Sequence, residues 1–376
     1  MKSKVEILED VDAMRRIDPG GMLQWCMAFP KFCREAVSLA RKLSLDYAGV
    51  QRVIVAGMGG SAIGGEYLKQ LFIDRPERTV PVEVCRDYFL PAYADEKVLV
   101  FVVSYSGETE EALNVFADAL KRKCMIVCIS SGGTVTRFAE KLKLPHIVVP
   151  SGLAPRAAFP YLFLPMPILM QKLDVAPDIS PEIEEAIQIL EAMENEVSPQ
   201  KALEENPAKK LACELLETVP VFYGFRFYGA VAQRFKQQFN ENSKVPCRWD
   251  VFPELNHNEI MGWEAPRKLT SLFSVVMLRD RDEPIEIRER IEATKALIRG
   301  KAGKILELWG KGTGRLAKML STTYIGDFAS VYLAILRGVD PTPVKTITSL
   351  KQKMKKAGLK VKAEKELKRF AASETA

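Results

Sequence analysis

Short apolar runs alternate with segments of helical period along residues 51–150. An apolar run without polar alternation is typical of a parallel strand that is buried on both faces. The runs predict strands near 53–56, 80–85, 98–103, 125–129 and 146–149, with helices between most of them. This order indicates an α/β fold with a doubly wound parallel sheet, in which ligands bind beyond the carboxyl ends of the strands.

A second α/β unit is predicted after residue 208. Its strands and intervening helices are expected at 219–223, 230–239, 272–278, 288–298 and 304–308. The turn after the first of these strands contains Gly224 and Gly229 and loosely resembles the region 53–70. We therefore expect two tandem copies of one fold with flanking helices, the second copy having diverged at its binding turn.

Prolines and charge runs mark the expected domain boundaries. Residues 178–205 are glutamate-rich and helical in period, which predicts a helical bridge with solvated charges. We expect an N-terminal domain with leading helices over 1–175, the bridge over 176–207, a second domain over 208–352 and a lysine-rich C-terminal tail over 353–376. Within the second domain, 315–337 predicts a long apolar helix, either core or subunit contact. Residues 351–369 are expected to form a short amphipathic helix.

The stretch Val53–Gly65 joins the first predicted strand to a helix through Gly57, Gly59, Gly60 and Ser61. Glycine lets a ligand approach the backbone, and the free amides of a helix start attract anions. Gly60 and Ser61 are therefore candidate phosphate-binding residues. A tight turn without a ligand is one alternative. A dinucleotide site is another, because the stretch fits G-x-G-x-x-A and Asp87 follows the second predicted strand.

A second motif, Ser104–Glu111, follows the predicted strand 98–103. Its three hydroxyl residues, Ser104, Ser106 and Thr109, cluster at a strand end and helix start. Hydroxyls with helix-start amides suit a phosphate monoester better than a dinucleotide pyrophosphate. The competing interpretation is that Ser106 or Thr109 only caps the helix. Capping explains one hydroxyl, not three.

Composition narrows the function classes. The net charge is +6, and no basic stripe interleaved with aromatic residues indicates nucleic-acid binding. Seven cysteines without a C-x-x-C pair disfavour a disulfide framework, and two histidines disfavour a zinc site. The N-terminus lacks an apolar signal-peptide region, and no apolar run approaches the ~20 residues of a membrane span. We expect a cytoplasmic protein without metal, nucleic-acid or membrane partners.

The stretch Gln237–Glu264 concentrates candidate acid–base residues. Glu241 lies near a predicted helix end, and His257 lies in a loop. A surface-loop histidine and a helix-end carboxylate are the ordinary interpretations. Glu254 and Glu259 are competing carboxylates that the sequence alone does not exclude.

Three motifs in order, G-M-G-G-S-A-I-G-G, S-Y-S-G-E-T and N-E-N-S-K with P-E-L-N-H-N-E, resemble the bifunctional phosphoglucose/phosphomannose isomerases of the sugar isomerase domain family. The resemblance implies that Glu241 is the catalytic base. It also implies that His257 assists ring opening from the other subunit, so that the active unit is a homodimer. The family usually has Asn where this chain has Glu108, and we expect Glu108 to face solvent.

The same resemblance assigns three further residues. The P-R-A-A stretch Pro155–Ala158 matches one that carries an enediolate-stabilising arginine, here Arg156, whose ordinary interpretation is a solvated loop residue. Thr342 matches a threonine that permits the C2 epimer, and Lys351 matches a lysine near the ring or phosphate. A solvated lysine is the ordinary interpretation of Lys351.

The predicted function is therefore a metal- and cofactor-independent isomerase. It would interconvert glucose 6-phosphate and mannose 6-phosphate with fructose 6-phosphate through a cis-enediol, which needs one carboxylate base and a separate acid for ring opening. Two alternatives stay open. One is a non-catalytic phosphosugar-binding regulator of the same fold, and the other is a nicotinamide-dependent oxidoreductase.

Overall fold

The structure is a computed structural model that describes residues 5–75, 79–356 and 358–373. In this part of the chain, neighbouring strands of two sheets pair only in parallel. The strands are β1 (Arg52–Ala56), β2 (Val82–Cys85), β3 (Val98–Val103), β4 (Met125–Ser130), β5 (His146–Val148), β6 (Val219–Phe225), β7 (Arg248–Phe252), β8 (Phe273–Arg279) and β9 (Lys304–Trp309). The α/β fold class with two parallel sheets is confirmed.

Helices connect most of these strands. The α-helices are α1 (Val11–Ile17), α2 (Met22–Met27), α3 (Phe29–Lys42), α4 (Ile63–Phe72), α5 (Glu110–Lys121), α6 (Gly133–Lys141), α7 (Phe159–Phe163), α8 (Pro165–Lys172), α9 (Ser180–Val197), α10 (Pro207–Leu215), α11 (Tyr228–Gln238), α12 (Arg267–Thr270), α13 (Ile285–Ile298), α14 (Arg315–Leu336), α15 (Lys345–Lys356) and α16 (Leu359–Ser373). The lysine-rich end thus forms two helices instead of one short helix.

The chain divides into two compact units, each assembled from two separate segments. The five-stranded unit contains Lys31–Pro181 and Val344–Ala376, and the four-stranded unit contains Met1–Pro30 and Glu182–Pro343. The leading residues thus group with the second sheet, and the segment after Pro343 groups with the first. The domain boundaries expected from the sequence stay a prediction.

The five-stranded sheet has the order β2-β1-β3-β4-β5. All six residues of β3 are buried, as its uninterrupted apolar sequence predicts for a strand covered on both faces. Its neighbours are held in register by pairs such as Val53 with Leu99 and Phe101 with Val127. The β1 and β3 ends therefore lie next to each other, which brings the two predicted phosphate motifs to one edge.

The four-stranded sheet has the order β7-β6-β8-β9 and the same topology as β2-β1-β3-β4. This agrees with the predicted tandem repeat. Strand β7 was not predicted from the sequence, because this edge strand is partly exposed and Arg248 and Asp250 interrupt its apolar pattern.

Helix α14 forms the core of the four-stranded unit. Every residue from Leu316 to Leu336 is buried, and the helix packs against α10 and α11. It is long and apolar enough to cross a membrane, a test that buried core helices also pass, and here its whole apolar window is buried. Of the two expectations for this segment, core helix or subunit contact, the structure supports the core helix.

Candidate functional site

The glycine motif turns directly from β1 into a short 3₁₀ segment, Gly59–Ser61, and then into α4. A Cβ at Gly57 would lie 2.8 Å from the carbonyl oxygen of Val103, which ends β3. A Cβ at Gly60 would lie 3.3 Å from the carbonyl oxygen of Pro155. Because these two glycines have no side chain, the backbone at Val103 and at Pro155 can lie close to the glycine motif. A simple strand-to-helix turn does not require such close contacts.

Ser61 links the first motif to the second. Its side chain is buried, and its Oγ accepts a hydrogen bond from the backbone N–H of Tyr105 at 3.2 Å. Asp87, the residue that the dinucleotide interpretation needs, follows β2, where its own carboxylate accepts from the N–H of Tyr88 at 2.6 Å. Ser61 and the second motif thus form one connected cluster at the carboxyl ends of β1 and β3.

The three hydroxyls of the second motif have different surroundings. Ser104 is fully buried and its Oγ lies 2.9 Å from the Oγ1 of Thr109. Thr109 occupies the N-cap position of α5, but its side chain makes no capping hydrogen bond. Ser106 is exposed and accepts from the N–H of Glu108 at 3.2 Å. The capping interpretation therefore does not account for Thr109, whose hydroxyl is oriented by Ser104.

Glu108 does not face solvent as expected. Its Oε1 accepts from the N–H of Thr134 at 2.7 Å and from the Thr134 hydroxyl at 3.0 Å. Thr134 lies in the first turn of α6, where backbone amides have no partner within the helix and favour an anion. The carboxylate that differs from the family pattern is therefore turned toward the next helix start.

Arg156 is 3% exposed, so it is not the solvated loop arginine of the ordinary interpretation. Its loop is attached to the second motif through the side chain of Tyr105. The Tyr105 hydroxyl donates to the carbonyl of Pro150 at 3.0 Å and accepts from the N–H of Leu153 at 2.8 Å. Burial raises the pKa of Tyr105, so the hydroxyl stays protonated and can serve as this donor. This role of Tyr105 was not predicted from the sequence.

In the four-stranded unit, Glu241 lies in a π-helical turn, Phe239–Ser243, that extends α11. Such turns are rare and occur frequently at functional sites. The Nζ of Lys244, a residue with a left-handed backbone, donates to the carbonyl of Glu241 and to that of Pro341, the latter at 2.9 Å. Glu241 is partly exposed. The backbone of the candidate base is thus fixed next to the loop that carries Thr342.

Buried polar contacts with α14 also fix the π-helical turn Phe239–Ser243. Asn242 donates to the Oγ of Ser330 at 2.9 Å, and the Ser243 hydroxyl donates to the carbonyl of Ser330 at 2.5 Å. One turn earlier, Asp327 accepts from both Arg234 and Gln238 of α11, at 2.6 and 2.8 Å. These bonds satisfy polar groups that would be costly to bury alone.

His257 and the two competing carboxylates lie on the segment after β7. His257 is exposed, and its backbone N–H donates to the carbonyl of Glu254 at 2.9 Å. Glu254 accepts from the side-chain amide of Asn258 at 3.1 Å. Glu259 accepts from the Tyr223 hydroxyl at 3.1 Å and pairs with Arg248. The contacts give Glu259 a structural role in anchoring this segment.

Thr342 and Lys351 lie in different units. The N–H of Thr342 donates to Asp340 at 2.9 Å, and a Cβ on Gly20 would lie 2.3 Å from the Thr342 Oγ1. Gly20 therefore permits the close approach of the Thr342 loop. Lys351 is exposed on α15. Among the described residues, no group of three or more His, Cys, Asp or Glu side chains is arranged to hold a metal ion.

Comparison with known proteins shows which chains this one resembles. A family description, the bacterial phospho-glucose isomerase C-terminal SIS domain, matches residues 204–354. A bifunctional phosphoglucose/phosphomannose isomerase from Caldicellulosiruptor bescii is 40% identical over 86% of this chain and 96% of the relative. One of the same name from Aquifex aeolicus is 32% identical over 84% of this chain and 93% of the relative.

The fold agrees as well. A hypothetical protein from Thermus thermophilus has a solved structure that superposes with a TM-score of 0.71, covering 92% of this chain and 94% of that protein at 18% identity. The identity to the two curated isomerases extends over most of both chains. The chain therefore belongs to the family of bifunctional phosphoglucose/phosphomannose isomerases.

Proposed function

We propose that this chain interconverts glucose 6-phosphate and mannose 6-phosphate with fructose 6-phosphate through a cis-enediolate. In this proposal, Glu241 moves the proton between C1 and C2, and His257 with Lys351 opens the sugar ring. Arg156 stabilises the enediolate, and Thr342 permits the C2 epimer. Gly60, Ser61, Ser104, Ser106 and Thr109 hold the phosphate.

The observation that carries the proposal is the scaffold of Glu241. Its backbone is fixed by Lys244 and by the contacts of Asn242 and Ser243 with α14, while the residue itself is partly exposed. A base that serves two neighbouring carbons needs a fixed backbone and a position that is not fully buried, and Glu241 has both. The competing carboxylate Glu259 is already held by Tyr223 and Arg248.

The hydroxyl cluster supports the phosphate end of the proposal. Ser104 orients Thr109, Ser106 is exposed, and both motifs lie at carboxyl ends of central strands. Helix-start amides and hydroxyls together suit a phosphate monoester. A buried arginine near the glycine turn supplies the positive charge that an enediolate or phosphate requires.

The proposal extends to the assembly and the setting of the chain. We propose a homodimer in which His257 is contributed across the subunit interface, acting in the cytoplasm without a cofactor or metal. Sedimentation analysis of the purified chain tests the dimer, and mixing inactive Glu241→Gln with inactive His257→Asn chains tests the sharing. Recovered activity in the mixture is the expected result, and an inactive mixture of exchanged subunits contradicts it.

Turnover of fructose 6-phosphate with and without a chelator tests the reaction, with glucose 6-phosphate and mannose 6-phosphate both quantified. We expect both products at rates that chelation leaves unchanged. Glu241→Gln should lower kcat by about 10²–10⁴-fold, which is the usual contribution of proton transfer by a positioned base. Phosphosugar binding should persist, because the phosphate cluster is intact.

Glu254→Gln is the matched control, since it removes an exposed carboxylate from the neighbouring segment and should keep ordinary turnover. Ordinary turnover by Glu241→Gln would remove the assigned base. Phosphosugar binding without turnover by the unmodified chain would favour the non-catalytic regulator. Nucleotide-dependent hydride transfer would favour the oxidoreductase.

A further inference from the structure

The C-terminal helix α16 packs into the hydrophobic core of the five-stranded unit. It lies beyond residue 354, where the match to the SIS domain ends. Ala363, Leu367 and Ala371 recur every fourth residue and are at most 1% exposed, so they form one apolar stripe along the helix. The stripe belongs to the hydrophobic cluster that contains Phe116 of α5 and Phe138 of α6.

The two helices that α16 covers are those that hold the hydroxyl loop, residues 104–109. Helix α5 begins directly after Thr109. The start of α6 is bonded to the loop, because the N–H of Val135 donates to the carbonyl of Gly107 at 3.1 Å. The contact is tight, since a Cβ on Gly107 would lie 1.9 Å from the carbonyl oxygen of Gly132. The loop therefore follows any displacement of α6.

Thr134 extends this connection to α16 itself. Its hydroxyl lies 3.0 Å from Glu108 of the loop and 3.4 Å from Glu364 of the C-terminal helix. The side chain is only 1% exposed, and Arg137 donates to the same hydroxyl at 3.2 Å. One buried threonine thus lies between the hydroxyl loop and the C-terminal helix.

We propose that α16 is a positioning element for the phosphate-binding loop, acting through the apolar stripe and through the Thr134–Glu108 contact. This rests on the proposed function of that loop. Docked, the helix presses α5 and α6 into the arrangement that aligns Ser106 and Thr109 with the phosphate. When α16 is undocked, the hydroxyl loop keeps its backbone conformation but its position is no longer fixed. The hydroxyls then lose their alignment with the phosphate, and phosphate binding weakens.

The test compares two full-length variants that each add one carboxylate to the same helix. Ala363→Glu places it in the buried stripe, and Val361→Glu places it at a position that is 54% exposed. We expect Ala363→Glu to raise KM for fructose 6-phosphate and Kd for inorganic phosphate about tenfold, with kcat within about twofold. Val361→Glu should have the same KM, phosphate Kd and kcat as the unmodified chain.

Hydrogen exchange reports whether the helix has undocked. Amides of 359–373 and the amide of Val135 should exchange faster in Ala363→Glu only. An undocked helix with unchanged KM and phosphate Kd overturns the proposal. If Ala363→Glu does not fold, Leu367→Ala, a milder change in the same stripe, decides by the same measurements.

Phosphate binding separates this proposal from the proposed reaction. A chain that shows no turnover but binds inorganic phosphate more weakly in Ala363→Glu refutes the isomerase and keeps the positioning role. Thr134→Val tests the second contact. It should raise the phosphate Kd about threefold, less than the loss of a direct bond to the phosphate would, because the N–H of Thr134 still donates to Glu108. An unchanged Kd would show that α16 acts through the apolar stripe alone.

Discussion

The two sheets share a topology and differ in what lies at their carboxyl ends. The five-stranded sheet presents glycines and hydroxyls there, among them Ser61, Ser106 and Thr109. The four-stranded sheet presents ion pairs made within the chain, at Arg279, the last residue of β8, and at Lys318 on α14. The same backbone design therefore supports a candidate binding edge in one copy and a structural edge in the other.

The turn after β9 shows how the second edge is filled. Gly310–Gly314 joins β9 to α14, a strand-to-helix connection that could accept an anion. Glu185 of α9 occupies it, accepting from the N–H of Thr313 at 2.6 Å and from that of Gly314 at 2.9 Å. The expectation that the charges of the glutamate-rich helix are solvated is wrong for Glu185. The chain's own carboxylate takes the place of an external anion.

Arg279 gives the largest expected difference between the edges. It is 3% exposed and pairs with Glu283, Glu292 and Glu307, of which Glu283 is also buried. Arg279→Met removes the closest cation from the buried carboxylate of Glu283, so we expect the free energy of unfolding to fall by about 3–5 kcal/mol. Urea denaturation monitored by circular dichroism measures it.

Lys304→Met is the control, because the Lys304–Glu214 pair is exposed and should contribute about 0–1 kcal/mol. Equal stability of the two variants would contradict a structural role for the Arg279 cluster. KM of folded Arg279→Met should stay near that of the unmodified chain, because the four-stranded edge is not assigned to the phosphate.

The second prediction contrasts one hydroxyl from each edge. Ser106→Ala should raise KM for fructose 6-phosphate about tenfold, since a hydrogen bond to a charged group contributes about 1.5–3 kcal/mol. Its stability should change little, because Ser106 is exposed. Thr313→Ala should leave KM for fructose 6-phosphate unchanged and lower the free energy of unfolding, because the Thr313 hydroxyl donates to Glu185 at 2.6 Å. Steady-state kinetics gives KM, and urea denaturation gives the stability of each variant. If KM and stability change in the same way in both variants, the two edges do not differ in role.

The strands of the five-stranded sheet were predictable because burial on both faces leaves an uninterrupted apolar signature, as in β3. The placement of both candidate phosphate motifs at one sheet edge was predictable from the general rule that ligands bind at the carboxyl ends of parallel strands. The edge strand β7 lacked that signature, since Arg248 and Trp249 are exposed. The local apolar pattern thus predicted strands that are buried along their whole length, and it did not predict a strand that is only partly buried.

Contacts between turns that are distant in sequence were not predictable. Tyr105 binds a loop 45 and 48 residues away, and Glu108 binds a helix start 26 residues away. Glu185 reaches a turn 128 residues away. None of these side chains has a periodic or compositional signal, because each contact depends on how the sheet brings separate turns together.

The smallest expected effect comes from Glu185. Its partial burial alone would raise the pKa of its carboxyl, but the hydrogen bonds from Thr313 and Gly314 outweigh that burial and lower the pKa below the usual value. A carboxyl with a lowered folded-state pKa stabilises the fold above its unfolded pKa of about 4.3, and this contribution is lost as the pH falls through the folded pKa. Glu185→Ala should therefore lower stability by about 1 kcal/mol at pH 7, as loss of a helix cap does. Urea midpoints at pH 7 and pH 3 measure it, with Glu184→Ala, an exposed neighbour on α9, as control. The difference from the unmodified chain should shrink at pH 3, and a pH-independent difference would show that Glu185 acts through packing and not as the anion of the second edge.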